Sequence, residues 1–369
     1  MSLSPTAPMA RIPLVESFAA TPDPRRPRGV RHPIATILSV AAAAVVAGAR
    51  SWTAVHQWMA DTDRDVLSQL GIDPEAVLPS ESTIRRALAG MDADGLDAQL
   101  GAWMTLRVGD VAGRRVIAVD GKSMRGAVRD GSRPHLLSVL DQHHGVVVGQ
   151  QAVGEKSNEI PVLRELLATI NITDVVVTAD ALHCQRESAA WIIEHGGHYV
   201  LTVKGNQPTI LRQLKALPWK DVPAHTSADI GHGRRARRTV KAIEVPDWVD
   251  WPGAAQVVQV RRTRTIKGRK QIEVAYAICS VPIVKAQPRV VASWIQGHWS
   301  IENSLHWVRD VTFDEDRHQL RVGSGPQIMA TMRNTAISLL RLAGWDNIAA
   351  GLRHHGHDSR RPVALLTSP

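Results

Sequence analysis

Between Arg115 and Val203 five short apolar runs of β type alternate with two helical stretches, and this order restricts the fold more than any other feature of the chain. Arg115 to Val119 ends on Asp120-Gly121, while Leu136 to Asp141 and Val146 to Gln151 are joined by the hairpin-like His143-His144-Gly145. Glu159 to Ile170 has helical spacing, with Ile160, Leu163, Leu166 and Leu167 on one side. Asp174 to Ala179 ends on Asp180. Arg186 to Glu194 is helical and closes at Gly196-Gly197, and His198 to Val203 is the fifth run. The order β-β-β-α-β-α-β predicts an α/β fold with a mixed sheet flanked by helices.

The flanking sequence suggests further units in a chain of 369 residues. Residues 1–30 hold six prolines and the basic run Arg25, Arg26, Arg28, and read as a disordered arm. Residues 31–110 are helical in pattern: Pro33 suits a helix start, and Ile34, Ile37, Leu38, Ala41 and Val45 recur near helical spacing. Ser80 offers an N-cap to a helix whose Ser82, Arg85 and Arg86 suit either a phosphate backbone or an ordinary charged face. The α/β unit is expected over 113–345, interrupted by a β-rich insertion at about 206–283. Residues 346–369 read as a polar tail, and their His354, His355 and His357 as exposed side chains rather than a metal site.

Lys and Arg number 44 against 35 Asp and Glu, a formal net charge of +9 that favours a polyanionic partner without specifying it. The distribution says more. Arg234, Arg235, Arg237, Arg238 and Lys241 crowd one stretch, and Arg261, Arg262, Arg264, Lys267, Arg269 and Lys270 crowd another with no acid among them. A solvated charged face mixes both signs, so these clusters read as a surface that tracks phosphates. Trp219, Trp248 and Trp251 fall near them; packing in the insertion is the plainer account, stacking on an unpaired base the sharper one. Cys184 and Cys279, without a CxxC pairing, fit neither structural zinc nor a disulfide framework and suit a reducing cytoplasm. No secretory signal is visible. The Ala-rich stretch Ile34 to Ala49 falls short of the ~20 residues a membrane span needs, so it reads as a buried helix.

Asp120 and Asp180 each follow an apolar strand, 60 positions apart (180 − 120). Ligands in α/β sheets gather at strand ends, so two carboxylates there can share one cavity. Either alone is more simply a turn-starting Asp; the pair is harder to dismiss. Two-metal phosphoryl transfer needs hard oxygen ligands holding two ions about 4 Å apart, hence a third carboxylate. Glu302 is a candidate, because positions 298, 302, 306 and 309 share one helical face and present His298, Glu302, His306 and Arg309. The i, i+8 spacing of His298 and His306 does not suit a zinc pair of HExxH type. Asp141, Asp310, Asp314, Glu315 and Asp316 compete with Glu302, and composition does not rank them.

Five ordered blocks do. Ala118 to Gly126 (AVDGKSMRG), Gly154 to Ile160 (GEKSNEI), Thr178 to Gln185 (TADALHCQ), Val203 to Gln207 (VKGNQ), and His298 to Val311 continuing through Glu315-Asp316 resemble the DDE transposases of insertion sequences, in the branch of the H-repeat-associated proteins. With the helical N-terminal module the resemblance spans most of residues 15–355. It implies a ribonuclease-H-like core, with which the strand order agrees, and an acidic triad of Asp120, Asp180 and Glu302. Related transposases carry a Y-x2-R-x3-E-x6-K signature; the corresponding positions here are Ile295, His298, Glu302 and Arg309, so only the glutamate is identical and Arg309 keeps the charge.

The implied activity is metal-dependent strand cleavage and transfer of an insertion sequence. Its expected partners are element ends and target DNA, its cofactor two Mg²⁺ ions with Mn²⁺ able to substitute, and its synaptic form a homodimer, in a cytoplasmic, nucleoid-associated setting. Lys122, Arg125, Lys204, His298, Arg309, Arg234, Arg235, Arg261, Arg262 and Arg264 are the candidate DNA contacts. A nuclease that cuts without joining, and a domesticated DNA-binding protein without chemistry, are the alternatives.

Overall fold

The computed structural model describes residues 12–28, 30–109, 111–128, 133–154, 157–231, 234–266 and 269–369, and side chains outside 229–236 and 265–268. Six helices come first: α1 (Leu14–Ser17), α2 (Ile34–Val46), α3 (Trp52–Ala60), α4 (Arg64–Ser68), α5 (Glu81–Ala89) and α6 (Ala93–Arg107). Ser51, Ser80 and Asp92 cap α3, α5 and α6 by accepting a backbone N–H, as their short polar side chains favour. The described part of the proline-rich start is not an extended arm. Leu14 and Phe18, one helical turn apart, are fully buried against α2, and Trp103 Nε1 and Arg107 both donate to the Ile12 carbonyl. Prolines mask the apolar pair that makes this segment dock.

The core strands are β1 (Val116–Ser123), β2 (His135–Asp141), β3 (Val146–Val153), β4 (Val176–Ala179) and β5 (His198–Val203), in the spatial order β3-β2-β1-β4-β5. The first three run antiparallel, and β4 and β5 lie parallel to β1. This is the ribonuclease-H-like arrangement. Gly145, at φ +66°, closes the β2–β3 hairpin while Asp141 Oδ1 accepts from the backbone of His143 and His144. The parallel strands are buried on both faces, which is why they read as unbroken apolar runs. Contrary to expectation, β1 does not stop at Asp120. Its antiparallel partner β2 continues alongside to Ser123, whereas its parallel partner β4 ends at Ala179. Helices α7 (Glu159–Ala168) and α8 (Arg186–Glu194) cover one face of this sheet.

After α9 (Pro208–Lys215) come β6 (Ala224–Gly231), β7 (Arg234–Glu244), β8 (Gln256–Ile266) and β9 (Arg269–Cys279). Three of these strands have 11 residues each, longer than the short runs the sequence suggests, because alternating arginines hide their period of two. They are not a separate layer: β9 pairs antiparallel with β5 and extends the core into one nine-stranded sheet. Then α10 (Pro288–His298) runs over β1, β4 and β5 on the face opposite α7, and leads into wide i→i+5 turns at Glu302–His306 and Val308–Thr312. Next come α11 (Gly325–Leu342), α12 (Ile348–Gly356) and α13 (Arg360–Thr367). The C-terminal segment is thus folded rather than a polar tail. Val363 and Leu366 are buried, α13 packs on α2, and His355 is buried with Nδ1 2.9 Å from the Gly351 carbonyl. No helix among the described residues is long and apolar enough to cross a membrane.

Candidate active site

The parallel register of β1 and β4 pairs Val116 with Val176, Ala118 with Thr178 and Val119 with Ala179, a constant offset of 60 (179 − 119). Asp120 and Asp180 follow the last pair and therefore emerge side by side where β4 ends. Gly121 N donates to Asp120 Oδ1 at 3.0 Å and Leu182 N to Asp180 Oδ1 at 2.8 Å, which fixes both carboxylates against their own turns. Burial raises the Asp120 carboxyl above the usual carboxylate range; the charges of Asp180 and Glu302 push it further, and His306 and the Gly121 N–H oppose them.

The helical run carries the third carboxylate over this pair. Gln142 stitches the run to the sheet: its Nε2 donates to Thr178 Oγ1 at 2.8 Å and to the Trp294 carbonyl at 3.3 Å. Gly297 makes room for that amide, since a Cβ there would collide with it. His298 Nδ1 lies 3.3 Å from Thr178 Oγ1, and burial lowers its pKa to about 4, so the ring is uncharged at neutral pH. One turn on, Glu302 Oε2 lies 3.1 Å from His306 Nδ1, which is also 3.5 Å from Asp120 Oδ2. The hydrogen bond from His306 lowers the Glu302 carboxyl, and Lys122 adds to the effect. Among the described residues, Asp120, Glu302 and His306 bring three potential metal-ligand atoms within 4.8 Å of one another. The C-terminal histidines are not part of such a group.

These acids open on a cavity of about 920 Å³ whose other wall comes from β7, β8 and β9, with Arg238, Arg262 and Lys204 among its lining. Arg238 and Arg262 are direct cross-strand partners. The other sequence candidates divide. Lys204 is exposed at the cavity, and Arg125 is exposed but paired with Asp316 at 3.2 Å. Arg261 is exposed and, by strand alternation, faces away from Arg262. Arg264 pairs with Glu273 at 3.3 Å. Arg234 and Arg235 lie in β7, and their side chains fall outside the described residues. His298 is too weakly basic to serve as a phosphate cation.

Two expected phosphate contacts are corrected. Lys122 is only 8% exposed and donates to Asp310 Oδ1 at 2.6 Å. Arg309 is fully buried, with its Nη2 2.7 Å from Glu315 Oε1 and its Nη1 donating to Gln150 at 3.2 Å. The wide turns put more residues in each turn than an α-helix, so position 309 rotates off the Glu302 face and into the core. Glu315 also holds Arg333 at 2.7 Å; burial alone would raise its carboxyl, but the two guanidinium groups hold it at about 2. Trp219 and Trp251 are buried packing residues, whereas Trp248 is exposed. Sequence reasoning placed Arg238 in a basic cluster without singling it out as a contact, and assigned no role to His306, although the helical face displays it.

On the other face of β1 a chain of hydrogen bonds braces the site from behind. Ser123 Oγ lies 2.8 Å from His135 Nδ1, and His135 Nε2 2.7 Å from Glu159 Oε1. Glu159 Oε2 lies 2.9 Å from His183 Nε2, in the turn that follows Asp180. Burial would raise Glu159, but these two hydrogen bonds hold it at about 2. Gly121 is required here: a Cβ would fall within 2.5 Å of Glu159 Oε1 and His135 Nε2. The conspicuous GEKSNEI block is explained in part by this brace.

Comparison with known proteins bears on the family of the chain. Residues 112–339 match the family described as the transposase DDE domain, and residues 15–104 the one described as DDE_Tnp_1-associated. The chain is similar to the putative transposase YncI of Escherichia coli O157:H7, at 29% identity over 96% of this chain and 92% of that protein. It is also similar to the H repeat-associated putative transposase YhhI of Escherichia coli strain K12, at 31% identity over 89% of this chain and 90% of that one. A solved piggyBac transposase synaptic complex with hairpin DNA aligns over 99% of this chain and 82% of that chain, at 11% identity and a TM-score of 0.43.

Proposed function

Because the chain belongs to the family of transposases built on the DDE domain, we propose that it cuts DNA at the ends of an insertion sequence and joins the freed 3′-hydroxyl to target DNA. Asp120, Asp180 and Glu302 are its catalytic carboxylates in this reading. The observation that supports it most directly is the β1–β4 register, which sets Asp120 beside Asp180, under a helix that brings Glu302 to the same point.

The donors suit a hard divalent ion. Carboxylate oxygens converge with one imidazole nitrogen inside 4.8 Å, a span that one ion bridges with small side-chain rotations. Burial first, and then the charges of Asp180 and Glu302, raise Asp120, and a cation would offset both. Asp120 would be shared by two Mg²⁺ ions, for which Mn²⁺ would substitute, and Asp180 and Glu302 would each complete one place. When bound, such ions stabilise charge on the attacking and leaving oxygens of an in-line displacement. Arg238, Arg262 and Lys204 line the cavity at a position suited to the DNA backbone. Two element ends held together call for two copies of the chain.

Purified protein with Mg²⁺ is expected to nick DNA bearing its own element ends and to yield strand-transfer product. Asp120→Asn is expected to abolish both reactions while leaving DNA binding intact; equal cleavage by the variant would overturn the triad.

A further inference from the structure

We propose that His306 supplies a nitrogen ligand to the metal held at Asp120 and Glu302, so that this place favours Mn²⁺ and other first-row transition ions over Mg²⁺. The inference rests on the carboxylate reading above and adds a donor that an acidic triad does not contain.

The geometry is specific. His306 is only 3% exposed, yet its Nδ1 faces the carboxylates, 3.1 Å from Glu302 Oε2 and 3.5 Å from Asp120 Oδ2. Its neighbours Leu305 and Val308 are buried in the core and pin the segment, so the ring has no route outward. The whole stretch lies in wide i→i+5 turns, a distortion that recurs at functional sites. At the far side of the ring, Nε2 is buried with no hydrogen-bond partner among the described residues. The hydrogen bond at one ring nitrogen ordinarily dictates the state of the other. Here nothing at Nε2 does so: without a metal, Nδ1–H donates to Glu302, and a cation bound between Asp120 and Glu302 would displace that proton and take the Nδ1 lone pair, leaving Nε2 as the protonated nitrogen. Lys122, two residues on from Asp120 in β1, is held by Asp310. Mg²⁺ takes oxygen ligands and keeps its waters, whereas an imidazole in the set strengthens binding of transition ions.

Mn²⁺ alone, added to the full chain without DNA, tests this. Pulsed electron paramagnetic resonance of the bound ion is expected to show coupling to a ¹⁴N nucleus. His306→Gln should remove that coupling and weaken Mn²⁺ binding about tenfold or more, with Mg²⁺, measured by competition, affected much less. Bound Mn²⁺ without nitrogen coupling in the wild type, or coupling that survives His306→Gln, overturns the proposal. If that binding is still lost in Asp120→Asn, the carboxylate reading stands while His306 falls. No Mn²⁺ binding by the wild type overturns both. Should His306→Gln not fold, as judged by its melting without metal, the wild-type spectrum alone decides.

Discussion

Glu302 and Glu315 stand one short segment apart in the sequence, the first facing the open cleft and the second sealed in the core. Glu315 has two guanidinium partners at 2.7 Å and stays charged down to about pH 2 because Arg309 and Arg333 outweigh the cost of its burial. Glu302 is exposed, and among the described residues its close partner is an imidazole that it shares with Asp120. Asp120 in turn is raised by burial and by the charges of Asp180 and Glu302. An acid whose charge is matched inside the protein holds the structure together. An acid that faces other acids needs a cation from outside, and that difference separates architecture from chemistry within one stretch of chain.

Two substitutions of the same kind can break this comparison. Glu302→Gln is expected to abolish strand cleavage and leave thermal unfolding close to wild type, because the side chain is exposed and its neighbour His306 keeps a polar partner. Glu315→Gln is expected to do the reverse: two buried guanidinium groups lose their counter-charge, at about 3–5 kcal/mol of stability in denaturant titrations. A Glu315→Gln protein as stable as wild type would show that the buried triad is not what holds the helical run to α11.

The two halves of this comparison were not equally readable in the sequence. Strands β1 and β4 were, because strands buried on both faces are continuous apolar runs, and their equal distance from Asp120 and Asp180 is the register offset itself. Arg309 was misread because helical spacing assumes 3.6 residues per turn, and nothing in the local pattern announces the wide turns that rotate it inward. The β5–β9 pairing joins residues some 80 positions apart (279 − 200), a contact no local periodicity carries. The docked ends were hidden by composition: prolines around Leu14 and Phe18, histidines and arginines around Leu352, Val363 and Leu366.

Glu159 sharpens the comparison, since it is paired like Glu315 but lies against the site. Its folded pKa of about 2 is below the ordinary 4.5, so its hydrogen bonds to His135 and His183 contribute stability that is present above about pH 4.5 and is lost as the pH falls toward 2. Glu159→Gln should therefore melt below wild type at pH 7, with the gap closing between pH 4.5 and 2. A gap independent of pH would mean that the brace works by shape rather than charge.

The smallest effect separates the two faces of β8. Arg262 lines the cavity beside Arg238, and Arg261, the next residue, points the other way. If DNA lies in the cavity, Arg262→Ala should weaken binding about equally across sequences and reduce the slope of log affinity against log salt by about one. Arg261→Ala should leave the slope nearly unchanged. Equal slopes for the two variants would mean that the strand is read from both faces, and that the cavity is not the sole track for the backbone. The basic clusters would then do in the insertion what Glu302 and Glu315 do in the helix: one side of an element meets the substrate, and the other serves a different contact.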